Sequence, residues 1–162
     1  MEHMSAMRLL HPGEPWVLPL GPSIFLAGPT PRSVEVASWR PAAIAALETV
    51  GFSGTVLVPE RSDWAVKFDY IDQIEWELDG MRHASVIAFW VPRDMATMPA
   101  LTTNVEFGLN VRSMKALYGR PEGAPHTRYL DYLYTKYTGA TPISSLVRLM
   151  EAAAEDATSG RK

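Results

Sequence analysis

Two glutamates, Glu77 and Glu106, are the residues of this chain best suited to do chemistry. Glu106 lies in the stretch PALTTNVEFGLN (99–110), among apolar and small polar neighbours. The spacing Thr103-x-x-Glu106 fits a capping box, in which hydroxyl and carboxylate satisfy each other's backbone donors at a helix start. It equally fits a working carboxylate placed at the head of a helix. Glu77 lies on the preceding helical segment, and both could reach one edge of a sheet. Two carboxyls flanking a glycosidic carbon are the equipment of glycosyl transfer through an oxocarbenium-like transition state. Spacing alone does not separate that use from two solvated acids.

Other chemistries lack their anchors. Cysteine is absent, which excludes disulfides, thiolate nucleophiles and cysteine-ligated metals and fits a reducing cytoplasm. There is no G-x-S-x-G, no G-x-G-x-x-G and no Walker A sequence. His83 and His126 are far apart and have no partners at ligand spacing, so no metal site is expected. Net charge is −3, which suggests neither a nucleic-acid nor a membrane surface. No apolar stretch approaches the roughly 20 residues that span a bilayer. The first residues do not read as a signal peptide.

Several residues near the glutamates have two readings. Asp69, Gln73, Trp76, Glu77 and Gly80 recur at helical steps beside an apolar stripe of Ile71, Ile74, Leu78 and Met81. The polar set is either a solvated face or a place where Trp76 and Gln73 stack on and hydrogen-bond a heterocycle. Gly28-Pro29 is either a strand-ending turn or a close backbone approach to a ligand. Trp90 reads as core or pocket wall. Arg32, Arg40 and Arg93 read as solvated or as anion contacts.

The elements that must position these residues alternate. SIFLAG (23–28), TVLVP (55–59), SVIAFWV (85–91) and KALYG (115–119) read as strands. The third is apolar throughout and belongs in the sheet centre. Helices are expected at 38–52 with Ser38 as cap, at 69–84, at 103–113 and at 142–156. TRYLDYLYTKY (127–137) fits a short helix or a strand. Residues 1–22, with four prolines and two glycines, read as an extended lead-in. One domain over 23–156 and a frayed tail at 157–162 complete the chain. The alternation predicts an α/β fold, a parallel sheet with helices on both faces. Ligands then bind outside the carboxyl ends of the strands, near the topological switch point.

Four stretches, IFLAGPTPR, DQIEWELDGMRHASVIAFWVPR, PALTTNVEFG and ALYGRPEGAP, resemble the nucleoside 2-deoxyribosyltransferase family, in its deoxyribosyltransferase-like branch. They span roughly residues 24–125. The resemblance implies a flavodoxin-like three-layer sandwich with a mostly parallel five-stranded sheet. It makes Glu106, in NVEFG, the nucleophile on the anomeric carbon, and Glu77, in ELDG, the acid that serves the departing base. It assigns Gly28 and Pro29 to the sugar pocket, Gln73 and Trp76 to the base, and Thr103 and Asn104 to the sugar or a 5′ substituent. The implied substrate is a 2′-deoxynucleoside or its monophosphate, with no metal or redox cofactor and with a homo-oligomeric assembly.

The segment before Glu106 departs from the family's usual pattern. Ala100 and Leu101 stand where acidic residues are usual, and Thr102 and Thr103 replace Gly-Ser. This leaves room for an N-glycosidase without an acceptor base. A nucleotide-binding sensor that has lost turnover is the remaining alternative.

Overall fold

The central strands are built from uninterrupted apolar residues because both faces of the sheet are covered. In the computed structural model, which describes residues 6–63 and 68–160, every residue of β2 (Ser23–Ala27) and β4 (Val86–Trp90) is buried. These two strands pair in parallel, with Ile24 opposite Val86 and Ala27 opposite Phe89. Beyond them lie β3 (Thr55–Leu57) on one side and β5 (Ala116–Gly119) on the other. The outermost strand is β1 (Arg8–Leu10), so the five-stranded, all-parallel order is β1-β3-β2-β4-β5 among the described residues.

Period-two alternation divides the side chains between two cores. Phe25, Leu57, Ile87 and Phe89 face α2 (Tyr70–His83), α3 (Leu101–Asn110) and α4 (Arg128–Thr138), through Trp76, Met81, Phe107, Leu130 and Tyr134. Ile24, Leu26, Val56 and Ala88 face α1 (Arg40–Thr49) and α5 (Leu146–Ser159), through Ala43, Leu47, Leu149 and Ala153. The result is the three-layer, flavodoxin-like α/β sandwich expected from the sequence. The crossovers from β2 and β4 lead to opposite sides of the sheet, which places the switch point between these strands.

Several local expectations change. The lead-in at 1–22 contains an element: β1 uses the free edge of β3, whose unpaired backbone groups favour any extended segment that can reach them. TRYLDYLYTKY is helical, with Leu130 and Tyr134 turned inward one turn apart. The tail at 157–162 is not frayed over its first part, because Ala157 is buried and α5 continues to Ser159; residues 161 and 162 lie outside the described set. Ser38 is not the cap of α1. It precedes the N-cap Trp39 and accepts from the Arg40 N–H at 3.1 Å.

The inward face of α2 is also different from the expected stripe. Ile71 and Leu78 are 59% and 42% exposed, while Trp76 and Gly80 are buried. The cause is Gly80: a Cβ there would meet the Phe25 ring at 2.7 Å, so only glycine lets the helix close on β2 along this face. The far end of α2 is held by Lys115, whose Nζ donates to the carbonyls of Met81, Arg82 and Ala84 at 2.6–2.9 Å. Gly80→Ala should therefore lower stability by about 1–3 kcal/mol through overpacking. Thermal unfolding checks this; an unchanged Tm would mean that the contact with Phe25 relaxes freely.

Candidate active site

At the carboxyl ends of β2, β3 and β4 the chain leaves the sheet in three directions and encloses a cleft of about 250 Å³. This is near the lower end of the roughly 300–1,000 Å³ usual for small-molecule sites. One wall is Gly28, Pro29 and Thr30, with Arg40 behind them. A Cβ on Gly28, whose φ is +149°, would meet the Trp90 carbonyl at 2.2 Å, so the close turn requires glycine. The opposite wall is the face of α2 that carries Tyr70, Gln73, Ile74 and Glu77. The start of α3 closes the end with Ala100, Thr103 and Glu106.

The structure overturns the capping reading of Glu106. Helix α3 begins at Leu101 after Ala100, which adopts a left-handed φ of 59° and offers no side-chain cap. Thr103 is therefore inside the first turn and buried, and Glu106 lies in the second turn, beyond the strongest effect of the helix dipole. Stabilisation of its anion by the helix start is lost with that shift. The first turn of α3, whose N-terminal N–H groups have no side-chain cap, lines the cleft instead.

Glu77 and Glu106 meet across the gap between α2 and α3 through a hydrogen bond between their side chains. Burial pushes the Glu106 carboxyl up to about 8, the charge of Glu77 adds to the rise, and Arg40 opposes it. Glu77 is also raised, chiefly by burial, against the hydrogen bond from Gln73, the charge of Arg40 and the hydrogen bond from Glu106. Two buried carboxyls in contact cannot both ionise cheaply, and Glu106 is the member that keeps its proton at neutral pH. Gln73 Nε2 donates to Glu77 Oε1 at 2.9 Å, which leaves Gln73 Oε1 buried without a partner.

Of the residues expected at the site, Glu77, Glu106, Gly28, Pro29, Gln73 and Thr103 line this one cleft. Trp76 and Asn104 do not. Trp76 is buried between Phe25 and Trp16, with ring centroids 6.1 and 5.6 Å away, because Gly80 brings that face of α2 onto the sheet. Asn104 is turned away and accepts from the Arg93 guanidinium. Arg93 is itself buried and donates to the carbonyls of Pro99 and His126, so it braces the approach to α3 rather than meeting a ligand. Trp90 is core. Arg32 is exposed at the rim.

Tyr70 and Glu60 were missed. Tyr70 is 74% exposed and lines the cleft in place of Trp76; its spacing of seven from Glu77, two helical turns, was the available signal. Glu60 accepts from Ser38 and Arg40 at 2.7 and 2.9 Å, and nothing in the stretch PERSDW marks it as a buried ion's partner.

The family model described as nucleoside 2-deoxyribosyltransferase-like matches residues 21–124. The chain belongs to that family. The matched span holds β2 to β5 and every residue of the cleft, while β1, α4 and α5 lie outside it. Membership of the nucleoside 2-deoxyribosyltransferase-like family points to an enzyme acting on a small nucleoside substrate. No curated protein matches the chain. Among the described residues no helix is long and apolar enough to cross a membrane, and no group of His, Asp and Glu is placed to hold a metal ion.

The raised carboxyl has a consequence for stability. The folded state keeps the Glu106 proton between the ordinary value of 4.5 and about 8, whereas the unfolded chain releases it. The native state then binds more protons than the unfolded one, so stability falls as pH rises through that window and levels off above it. Glu106→Gln removes the penalty. Its Tm at pH 8 should exceed that of the wild type by roughly 4 °C or more, with the difference vanishing near pH 4. Differential scanning calorimetry at the two pH values checks both statements.

Proposed function

We propose that the protein cleaves the N-glycosidic bond of a 2′-deoxynucleoside and transfers the deoxyribosyl group to another base through a covalent intermediate on Glu106. The observation that carries this reading is the interacting pair Glu77–Glu106 lining one cleft, with the Glu106 carboxyl pushed up to about 8. One proton on the pair is what the reaction needs. When it passes from Glu106 to Glu77, Glu106 becomes an ionised nucleophile and Glu77 an acid. Glu106 Oε attacks C1′, the C1′–N bond breaks, and its electron pair leaves with the base nitrogen, which takes the proton from Glu77. A second base then attacks C1′, gives its proton to Glu77 and releases the Glu106 carboxylate. Tyr70 at the mouth offers a flat surface to the base, and Gln73 holds Glu77 in place.

A second reading has its own support. Arg32 at the rim and the open N–H groups of α3 favour an anion beside the sugar, as a 5′-monophosphate would supply. With water in place of the second base, the protein would be a nucleotide N-glycosidase. Incubation of the four common 2′-deoxynucleosides, and separately their 5′-monophosphates, with and without a second free base separates the two. New nucleosides that disappear with Glu106→Ala are the expected result. Free base without exchange moves the reading to the hydrolase; binding without turnover moves it to a sensor. Glu77→Gln should lower kcat by roughly 10²–10⁴. Because the active pair needs its one proton, kcat/KM should also fall above about pH 8.

The reading includes a homo-oligomer. Leu101, Val105 and Leu109 form a stripe on α3 that is 62–66% exposed beside the cleft, and a second copy would cover it. Sedimentation should show an assembled wild type and a smaller Val105→Glu species. A wild type that sediments as a monomer would remove the oligomer from the reading.

A further inference from the structure

Arg40 is the most deeply buried charge among the described residues, 1% exposed, yet it stands on the wall of the cleft. Its guanidinium is nearly saturated. Nε donates to the Leu26 carbonyl at 3.1 Å, Nη2 to the Gly28 carbonyl at 2.7 Å, and Nη1 to Thr30 Oγ1 at 2.8 Å and Glu60 Oε1 at 2.9 Å. It therefore ties the end of β2 and the turn after it to Glu60, three residues past the end of β3. Trp39, next to it, adds a hydrogen bond from Nε1 to the Pro29 carbonyl at 2.9 Å. The whole wall from Gly28 to Thr30 is held from the first turn of α1.

A lysine would not do this. Four bonds from three nitrogens to the separate oxygens of Leu26, Gly28, Thr30 and Glu60 need the planar fork of arginine, since an ammonium has only three N–H groups on one atom. Nor does Glu60 account for the charge by itself, since burying an ion pair stabilises little over apolar packing. The charge has further work within reach. Its field extends to both Glu77 and Glu106. The groups that face the carboxyl pair are Arg40 from α1, Gln73 and Tyr70 on α2, and Arg32 at the rim, with Glu60 behind Arg40. Of these cations only Arg40 is enclosed by protein, so only its charge is little screened by water and salt.

We propose that Arg40 is a positioning residue with two parts: its hydrogen bonds fix the Gly28–Thr30 wall against which the substrate seats, and its buried charge, on the same cleft as Glu77 and Glu106, is the counter-charge to the carboxylate formed there. It touches no reacting atom. The proposal deepens the glycosyl-transfer reading, on which its catalytic half rests.

The test separates charge from scaffold. Arg40→Gln removes the charge and keeps an amide donor; Arg40→Lys keeps the charge and loses the fork. Titration of the glutamate carboxyls by ¹³C NMR on the whole protein reads the pair without turnover. In Arg40→Gln the release of the Glu106 proton should move up by about half a unit or more, and in Arg40→Lys it should stay put. In the deoxynucleoside assay both limbs of the pH–rate profile should move up with Arg40→Gln, whereas Arg40→Lys should raise KM with the profile unmoved. If Arg40→Gln leaves Glu60 unpaired and does not fold, the double variant with Glu60→Gln removes the orphaned carboxylate and gives the same readout. An unshifted titration in the folded variant overturns the proposal, as does equal loss of activity in both variants with neither limb displaced. Absence of turnover in the wild type would instead count against the glycosyl-transfer reading, and the titration would still decide the role of the Arg40 charge.

Discussion

Two carboxyl groups brought out of water into contact cannot both carry charge, and the architecture around them is arranged to bear that conflict. Glu77 and Glu106 come from different helices, so their contact requires α2 and α3 to be held close together. The helices are held from elsewhere. Gly80 and Trp76 seat α2 on Phe25, Lys115 ties down its last carbonyls, and Phe107 anchors α3 on Phe89. The packing of a hydrocarbon core thus pays for the proximity of two acids that repel each other when ionised.

The same logic explains why the site lies at this edge of the sheet. Crossovers diverge from β2 and β4, so no helix covers the gap between their carboxyl ends. Three loops converge there, and a buried arginine turns two of them into a rigid wall. A braced wall on one side and a protonated carboxyl on the other suit the glycosyl transfer proposed for this cleft.

How much of this was legible in the sequence differs residue by residue. β2 and β4 were readable because strands covered on both faces are apolar throughout. β1 was not, since three residues among prolines become a strand only when the edge of β3 is there to receive them. The resemblance placed Glu77, Glu106, Gly28 and Gln73 at one edge, and they meet in one cleft. Trp76 misled because an aromatic at helical spacing says nothing of which face turns inward; the missing Cβ of Gly80 decides that. The start of α3 was misplaced by two residues because Ala100 adopts a left-handed backbone that alanine rarely signals. Arg40 gave no sign of burial, as its partners lie 10 to 20 residues away and half of them are backbone oxygens.

The edge strand β1 carries a meaning beyond completing a count of strands. A parallel sheet that ended at β3 would present a row of open backbone donors and acceptors to any passing extended chain. Arg8–Leu10 occupies that row, and Trp16, packed on Trp76, keeps the segment that follows in place. The N-terminal stretch therefore works as a guard. It replaces the edge of β3 with a three-residue edge that starts at Arg8 and runs on toward Pro12 and Pro15, features that discourage another chain from adding to the sheet.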